Sequence, residues 1–237
     1  MIPEIDNKLQ TFLAQINFNT TEINNTQLDL IQSICEYEPL GLNALVEVLS
    51  QRQLKNEINC IDGVIYNKLI CSGKVEIIDM LNKRFARGIV PLSSAKNIDY
   101  FELQQSLSKH DFLLADTLTQ QKLCELANIK TKARSWLYFT DIANLPKIDL
   151  QTIDNLWRIY SINRFGFSIQ KQILDSTQND WEKLLIKIKW VINNNLCRYP
   201  QEFVWDLTAP KGHLPLFNQL RGTQSLKALL GHEAWNN

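Results

Sequence analysis

Glycine is scarce in this chain, at 8 of 237 residues, and there are only 3 histidines and 5 cysteines. The sequence contains no phosphate-binding glycine loop and no GxGxxG run, which removes the common nucleotide-binding signatures. His110, His213 and His232 are far apart, and none stands beside a Cys or Ser in a nucleophile motif. The cysteines (Cys35, Cys60, Cys71, Cys124, Cys197) are odd in number, widely spaced and form no CxxC pair. Such usage fits reduced thiols in a reducing compartment, not a disulfide framework or a zinc site. Net charge is also missing: Lys plus Arg and Asp plus Glu are 25 each. Nothing global draws in nucleic acid or an anionic membrane, so an anionic ligand must be held by a local cluster of cations. No apolar run is long enough to span a bilayer. The opening MIPEIDNKLQ has neither a signal peptide's apolar run nor a transit peptide's Arg/Ser bias, so the protein is expected to work where it is made. The abundance of Asn, Ile and Lys fits an AT-rich genome, such as that of an organelle.

The sequence does contain helical periodicity. Ile5, Leu9, Phe12, Leu13 and Ile16 share one helical face, as do Leu28, Ile31, Ile34 and Cys35, then Leu42, Leu45, Val46 and Leu49. Such narrow stripes are stable only when packed together, so residues 1–85 are expected to form a helical bundle. Residues 86–98 break the period with Gly88, Pro91, Ser93 and Ser94 and read as a linker. Residues 99–237 are expected to form a second helical domain. There Asp111 precedes a helix with Phe112, Ala115, Leu118, Leu123 and Leu126 inside, and Asp149 reads as the N-cap of another that carries Ile153, Leu156, Trp157 and Tyr160. Asp154 reads as part of that helix's solvated face. Asn179 and Glu182 are spaced as a capping box before Trp181 and Leu184. No sustained strand alternation is present, and the fold class is all-α.

Catalysis finds little support. Cys197 with His213 is the one thiol–imidazole pairing to weigh, and a buried thiol plus a structural histidine in a GHLP turn is the better account of it. No catalytic or metal-ligating residue is expected. Binding remains. Large aromatics are concentrated between Trp136 and Trp205, many of them in irregular segments where an apolar side chain has fewer places to bury itself. They offer walls for a flat apolar ligand. Arg134, Arg198 and Arg221 offer guanidinium groups for its carboxylates.

Three runs sharpen this reading. WLYFTDIANLP (136–146), DLQTIDNLWRIYSINRFGFSIQKQI (149–173) and RYPQEFVWDLTAPKGHLPLFNQLRG (198–222) resemble the tetrapyrrole-binding family called genomes uncoupled four. The resemblance covers roughly 99–235. The helical first half resembles the bundle that accompanies this core in cyanobacterial and plastid-encoded members. The resemblance implies a cupped-hand, all-helical core that binds protoporphyrin IX and Mg-protoporphyrin IX and stimulates magnesium chelatase through its large porphyrin-binding subunit. It implies no catalysis, no nucleic acid partner and at most indirect membrane association, in a plastid stroma or a cyanobacterial cytoplasm. Carried over, the fingers fall at about 128–136 and 190–205. Phe139, Ile142 and Leu145 fall in the palm, and Trp190, Tyr199 and Phe203 in or against the larger finger. Asn218 and Arg221 face the porphyrin's polar edge. Gln224 stands where the family often has a further basic residue, and Arg198 or Lys211 is the local substitute for it. Covering about 300 Å² of porphyrin face contributes on the order of 7 kcal/mol gross, which ordering costs reduce to roughly micromolar or submicromolar affinity. The competing readings are a helical protein-interaction or sensory adaptor module without physiological porphyrin binding and, more remotely, a thiol hydrolase.

Overall fold

A computed structural model describes residues 3–15, 23–129, 134–217 and 223–236. The fold is all-α with one two-stranded hairpin. The chain divides into two compact units, Met1–Val90 and Pro91–Asn237.

The first unit holds α1 (Pro3–Gln15), α2 (Asn25–Cys35), α3 (Leu40–Leu54), α4 (Cys60–Cys71) and α5 (Val75–Arg84). Ile5, Phe12, Ile31, Ile34, Leu45, Leu49, Ile65, Leu69 and Leu81 are buried, so the apolar stripes turn inward onto one another. Pro39 stands at the N-cap of α3 and separates it from α2. Asn24 with Gln27, and Asn59 with Asp62, form reciprocal capping boxes that satisfy the first amides of α2 and α4. Asp62 also receives Arg52 Nε at 2.6 Å, a buried ion pair that joins the end of α3 to the start of α4.

The second unit holds α6 (Phe101–Ser108), α7 (Phe112–Leu126), α8 (Phe139–Ile142), α9 (Lys147–Tyr160), α10 (Phe167–Ser176), α11 (Trp181–Lys187), β1 (Val191–Ile192), β2 (Asn195–Leu196) and α12 (Thr223–Leu230), followed by a 3-10 turn at Glu233–Trp235. α6 packs against α7 and α9, α8 against α12, and α10 against α11 and α12. Phe112, Trp157 and Phe165 form the aromatic centre, with ring centroids 5.3 to 6.4 Å apart. The buried indole of Trp157 donates to Thr119 Oγ1 at 2.9 Å.

Two carboxylates differ from their sequence reading. The N-cap position of α9 is Pro146, not Asp149. Asp149 lies in the first turn, fully buried, where its oxygens accept from the Tyr100 hydroxyl at 2.8 Å and the Ala95 amide at 2.9 Å. Asp154 is not on a solvated face but buried, accepting from the Ser168 amide at 2.8 Å and the Ser168 hydroxyl at 2.5 Å. Both charges are used to join elements rather than to face water. The cap of α11 is Asp180, accepting from the Lys183 amide, one residue beyond the Asn179 of the expected box.

Asp154 depends on a neighbour that has no side chain. Gly166, at the start of α10, has φ +136°, and a Cβ there would lie 2.8 Å from Asp154 Oδ1. Gly166→Ala is therefore expected to cost about 2 kcal/mol or more through backbone strain and displacement of a buried carboxylate. A lowered urea midpoint for the full chain is the check, and an unchanged midpoint would show that the turn relaxes freely.

Candidate functional site

α7 has two unlike faces. Asp111 caps it by accepting from the Leu114 amide at 3.1 Å. Its inner side, Phe112, Ala115, Leu118 and Leu123, is buried in the aromatic centre. The run Phe112–Leu113–Leu114 carries more apolar surface than one face can bury, and Leu113 and Leu114 are exposed. Leu113, Asp116, Thr117 and Gln120 follow helical spacing and form an outer stripe.

Two irregular segments reach this stripe. Residues 134–138 are fixed from both sides: Gln120 Nε2 donates to the Ser135 carbonyl at 3.1 Å, and Ser225 Oγ on α12 donates to the Leu137 carbonyl at 2.9 Å. Tyr138 and Phe139 emerge there, 53% and 54% exposed. The second segment, 198–205, meets α7 where the Tyr199 hydroxyl stands 3.5 Å from Thr117 Oγ1. Tyr199 is 41% exposed and packs edge-on against Trp205, with centroids 5.9 Å apart. The Trp205 indole donates to the Pro200 carbonyl at 2.9 Å and so closes the segment on itself. Exposed apolar side chains thus stand on α7 itself, on the segment that meets it at Thr117, and just after the segment that meets it at Gln120.

The remaining site residues of the sequence reading occupy different environments. Ile142 and Leu145 are buried beneath α8. Trp190 is 1% exposed, and its indole N–H donates to the His213 carbonyl at 2.8 Å, so it supports the second segment from within. Phe203 is buried, 5.4 Å centroid to centroid from the His213 ring. Arg198 is exposed, with its backbone amide on Glu202 at 2.7 Å. Arg134 pairs with Asp141 at 2.8 Å and lies 4.4 Å from the Tyr138 ring centroid, which occupies its charge locally. Asn218 and Arg221 lie outside the described residues. The structure therefore joins Tyr199 and Phe203 through Trp205, joins Phe203 and Trp190 through His213, and leaves Phe139 as the outward member of α8.

His213 holds this arrangement. Its Nδ1 stands 2.6 Å from the Ile188 carbonyl at the end of α11, and its Nε2 accepts from the Val204 amide at 3.1 Å. These partners define a neutral imidazole with the proton on Nδ1. Cys197 instead directs its thiol at the Lys189 carbonyl, 3.5 Å away, so the polar contacts of both side chains are to backbone groups.

Three features were not evident in the sequence. Val191–Leu196 is a hairpin with Asn193 and Asn194 at φ 49° and 61°, and the Asn-Asn pair was its signal. The second is the exposed Leu113–Leu114 edge. The third is Asp116, a charge at helical spacing within a folded core.

Comparison with known proteins agrees with this architecture. A family model described as GUN4-like matches residues 93–233. The ycf53 protein of Porphyra purpurea is 47% identical over 98% of this chain and 99% of its own length. A Ycf53-like protein of Synechocystis is 39% identical over 89% of this chain and 90% of its own. The chloroplastic tetrapyrrole-binding protein of Arabidopsis thaliana is 36% identical over 56% of this chain and 54% of its own. The solved structure of GUN4 from Chlamydomonas reinhardtii superposes with a TM-score of 0.58 at 40% identity, covering 62% of this chain and 95% of that one.

Burial lowers the pKa of His213 below its ordinary value. The unfolded chain then binds the extra proton first, so the stability held by neutral His213 is present above the unfolded value of about 6.5 and is lost as pH falls below it. Urea midpoints of wild type and His213→Gln are expected to converge from pH 7.5 to pH 5. A constant gap between them would remove His213 from the acid response.

Proposed function

This chain belongs to the GUN4-like family, and from that membership and the geometry around α7 we propose that its second unit binds a tetrapyrrole, protoporphyrin IX or Mg-protoporphyrin IX. The observation that carries the reading is that Leu113 and Leu114 of α7, Tyr199 of the segment that meets α7 at Thr117, and Phe139, a few residues after the segment that meets α7 at Gln120, are all exposed. Exposed large apolar groups grouped beside two irregular segments mark a binding surface more often than a solvated one. A macrocycle's two flat faces match aromatic and aliphatic walls, and its acidic edge suits the basic groups at the rim, with Arg198 exposed there and Arg221 implied by the family resemblance.

Binding of this kind needs no reacting group. The side chains best suited to chemistry, Cys197 and His213, have their polar atoms committed to backbone partners. The protein is accordingly read as a non-catalytic carrier or regulator that presents the porphyrin to magnesium chelatase, through that enzyme's large porphyrin-binding subunit, in a plastid stroma or a cyanobacterial cytoplasm. Among the described residues no helix is long and apolar enough to cross a membrane, and any membrane association is read as indirect. The name of the Arabidopsis relative supports the ligand class.

The test is a titration of the full chain with a water-soluble protoporphyrin analogue, following tryptophan emission and the Soret band together. Saturable one-to-one binding is expected. Phe139→Ala and Tyr199→Ala should each weaken it by about 1–2 kcal/mol, a fivefold to thirtyfold rise in Kd. Both residues are substantially exposed, so the variants should keep wild-type unfolding midpoints. Addition of the chain to a magnesium chelatase assay should raise the insertion rate, and the two variants should raise it less at equal concentration. Absence of saturable binding in the wild type would leave the helical adaptor as the better account.

A further inference from the structure

Asp116 belongs to the outer stripe of α7 by spacing, between Leu113 and Gln120, yet it is only 5% exposed. Its Oδ1 accepts from the backbone amide of Leu216 at 2.6 Å, across 100 residues of sequence. Among the described residues no cation pairs with this carboxyl. A buried carboxylate with one backbone donor is costly to maintain unless the contact it makes is needed.

That contact completes a circuit. The strap around Gly212–Leu216 is tied to α10, because Gln170 Nε2 donates to the Gly212 and Pro215 carbonyls at 3.0 and 2.9 Å and the Gly166 amide donates to the Leu214 carbonyl at 3.0 Å. The same strap holds the second segment through the Val204 amide on His213 Nε2. The Leu216 amide on Asp116 joins the strap to α7 itself. One residue further along α7, Thr117 meets Tyr199 of that segment. The placement of Tyr199 over α7 therefore runs from Asp116 through Leu216 and His213 to Val204.

We propose that Asp116 is a positioning residue for the ligand surface: its hydrogen bond to the Leu216 amide clamps the strap to α7 and so holds the segment carrying Tyr199 in place, and ionisation of the buried carboxyl loosens that segment. The inference rests on the tetrapyrrole reading for the ligand but not for the clamp. An ionised carboxyl with one donor is costlier to keep from water than the neutral acid, and lifting the strap admits water to it. Burial pushes the Asp116 carboxyl up to about 7, so the change falls near neutrality. The other titratable groups on the elements around it are His213 and Lys211 on the strap, Arg198, Tyr199 and Glu202 on the second segment, Arg134, Tyr138 and Asp141 before and within α8, Glu102, Lys109 and His110 on or just after α6, Lys147, Asp149, Asp154, Arg158 and Tyr160 on α9, and Asp111, Lys122, Cys124 and Glu125 on α7. Burial lowers the His213 pKa below its ordinary value, which favours the neutral imidazole. The other raised, buried carboxyl of this unit, Asp154, faces Ser168 instead.

The experiment measures the Kd for the soluble protoporphyrin analogue from pH 6.5 to 8.5 in the full-length wild type and in Asp116→Asn. Asn keeps the acceptor oxygen and removes the titration. Wild-type affinity is expected to weaken by about fourfold from the acid to the alkaline end, and the Asn variant to stay within about twofold, because any titration of the ligand itself is common to both. An equal pH slope in the variant overturns the proposal. Exchange of the Leu216 amide with deuterium, compared after correction for intrinsic rates, gives a readout without ligand. Protection that falls as pH rises through about 7 in the wild type, and is flat in the variant, supports the clamp even where no porphyrin binds. Protection independent of pH overturns it. Failure of binding at every pH with a titrating amide would count against the tetrapyrrole reading alone.

Discussion

A neutral histidine in the interior is the point on which the second unit's architecture turns. His213 receives one amide and faces one carbonyl through its two ring nitrogens, and its own carbonyl accepts the Trp190 indole. Those contacts join the end of α11, the start of the hairpin and the segment 198–205, three pieces with little regular structure to hold them. Backbone groups in such a region cannot all pair within helices, and burial without partners would cost each of them a hydrogen bond's worth of solvation. A side chain with one donor and one acceptor at fixed geometry serves where a helix or sheet would otherwise be required. The irregular segment can then keep its outer side chains, Tyr199 and Arg198, exposed.

The same economy appears in the buried carboxylates. Asp149 collects the Tyr100 hydroxyl and the Ala95 amide, Asp154 collects Ser168, and Asp116 collects Leu216. Each joins a helix to a segment distant in sequence. Burial raises the pKa of both Asp116 and Asp154, so these two contacts are made at an electrostatic cost. For Asp116 the sign is opposite to that of His213: its folded form holds a proton more tightly than the unfolded chain does, so the stability this gives is fully present below about pH 4 and is lost as pH rises through about 7. The structure thus contains two buried groups whose acid responses oppose each other near neutrality.

Much of the scaffold was legible in the sequence because helices announce themselves locally. Phe112, Ala115, Leu118 and Leu123 mark the inner side of α7, which starts beside Asp111, as the periodicity implied. The carboxylates were misread for a physical reason. An Asp on an amphipathic helix is usually solvated, and only the partner's position in space shows otherwise; Tyr100 lies 49 residues from Asp149. Trp190 illustrates the same limit. An aromatic in an irregular stretch looks available to a ligand until the carbonyl that takes its N–H is known. Phe139 and Tyr199 could be read from the family runs and are outward-facing here, whereas Leu113 and Leu114 were visible only as a surplus of apolar residues over what one helix face can hide.

The hundred-residue span between Asp116 and Leu216 has a consequence for how the protein is made. α7 leaves the ribosome long before the strap that completes its outer face. At ordinary rates of synthesis the Asp116 carboxyl waits roughly 5–20 s for the strap amide that follows it. During that interval the first unit has all of its own residues, while the second still lacks Leu214, Leu216 and Phe217 of its buried core. An incomplete core of that kind leaves apolar surface open on the growing chain, the condition under which folding intermediates aggregate.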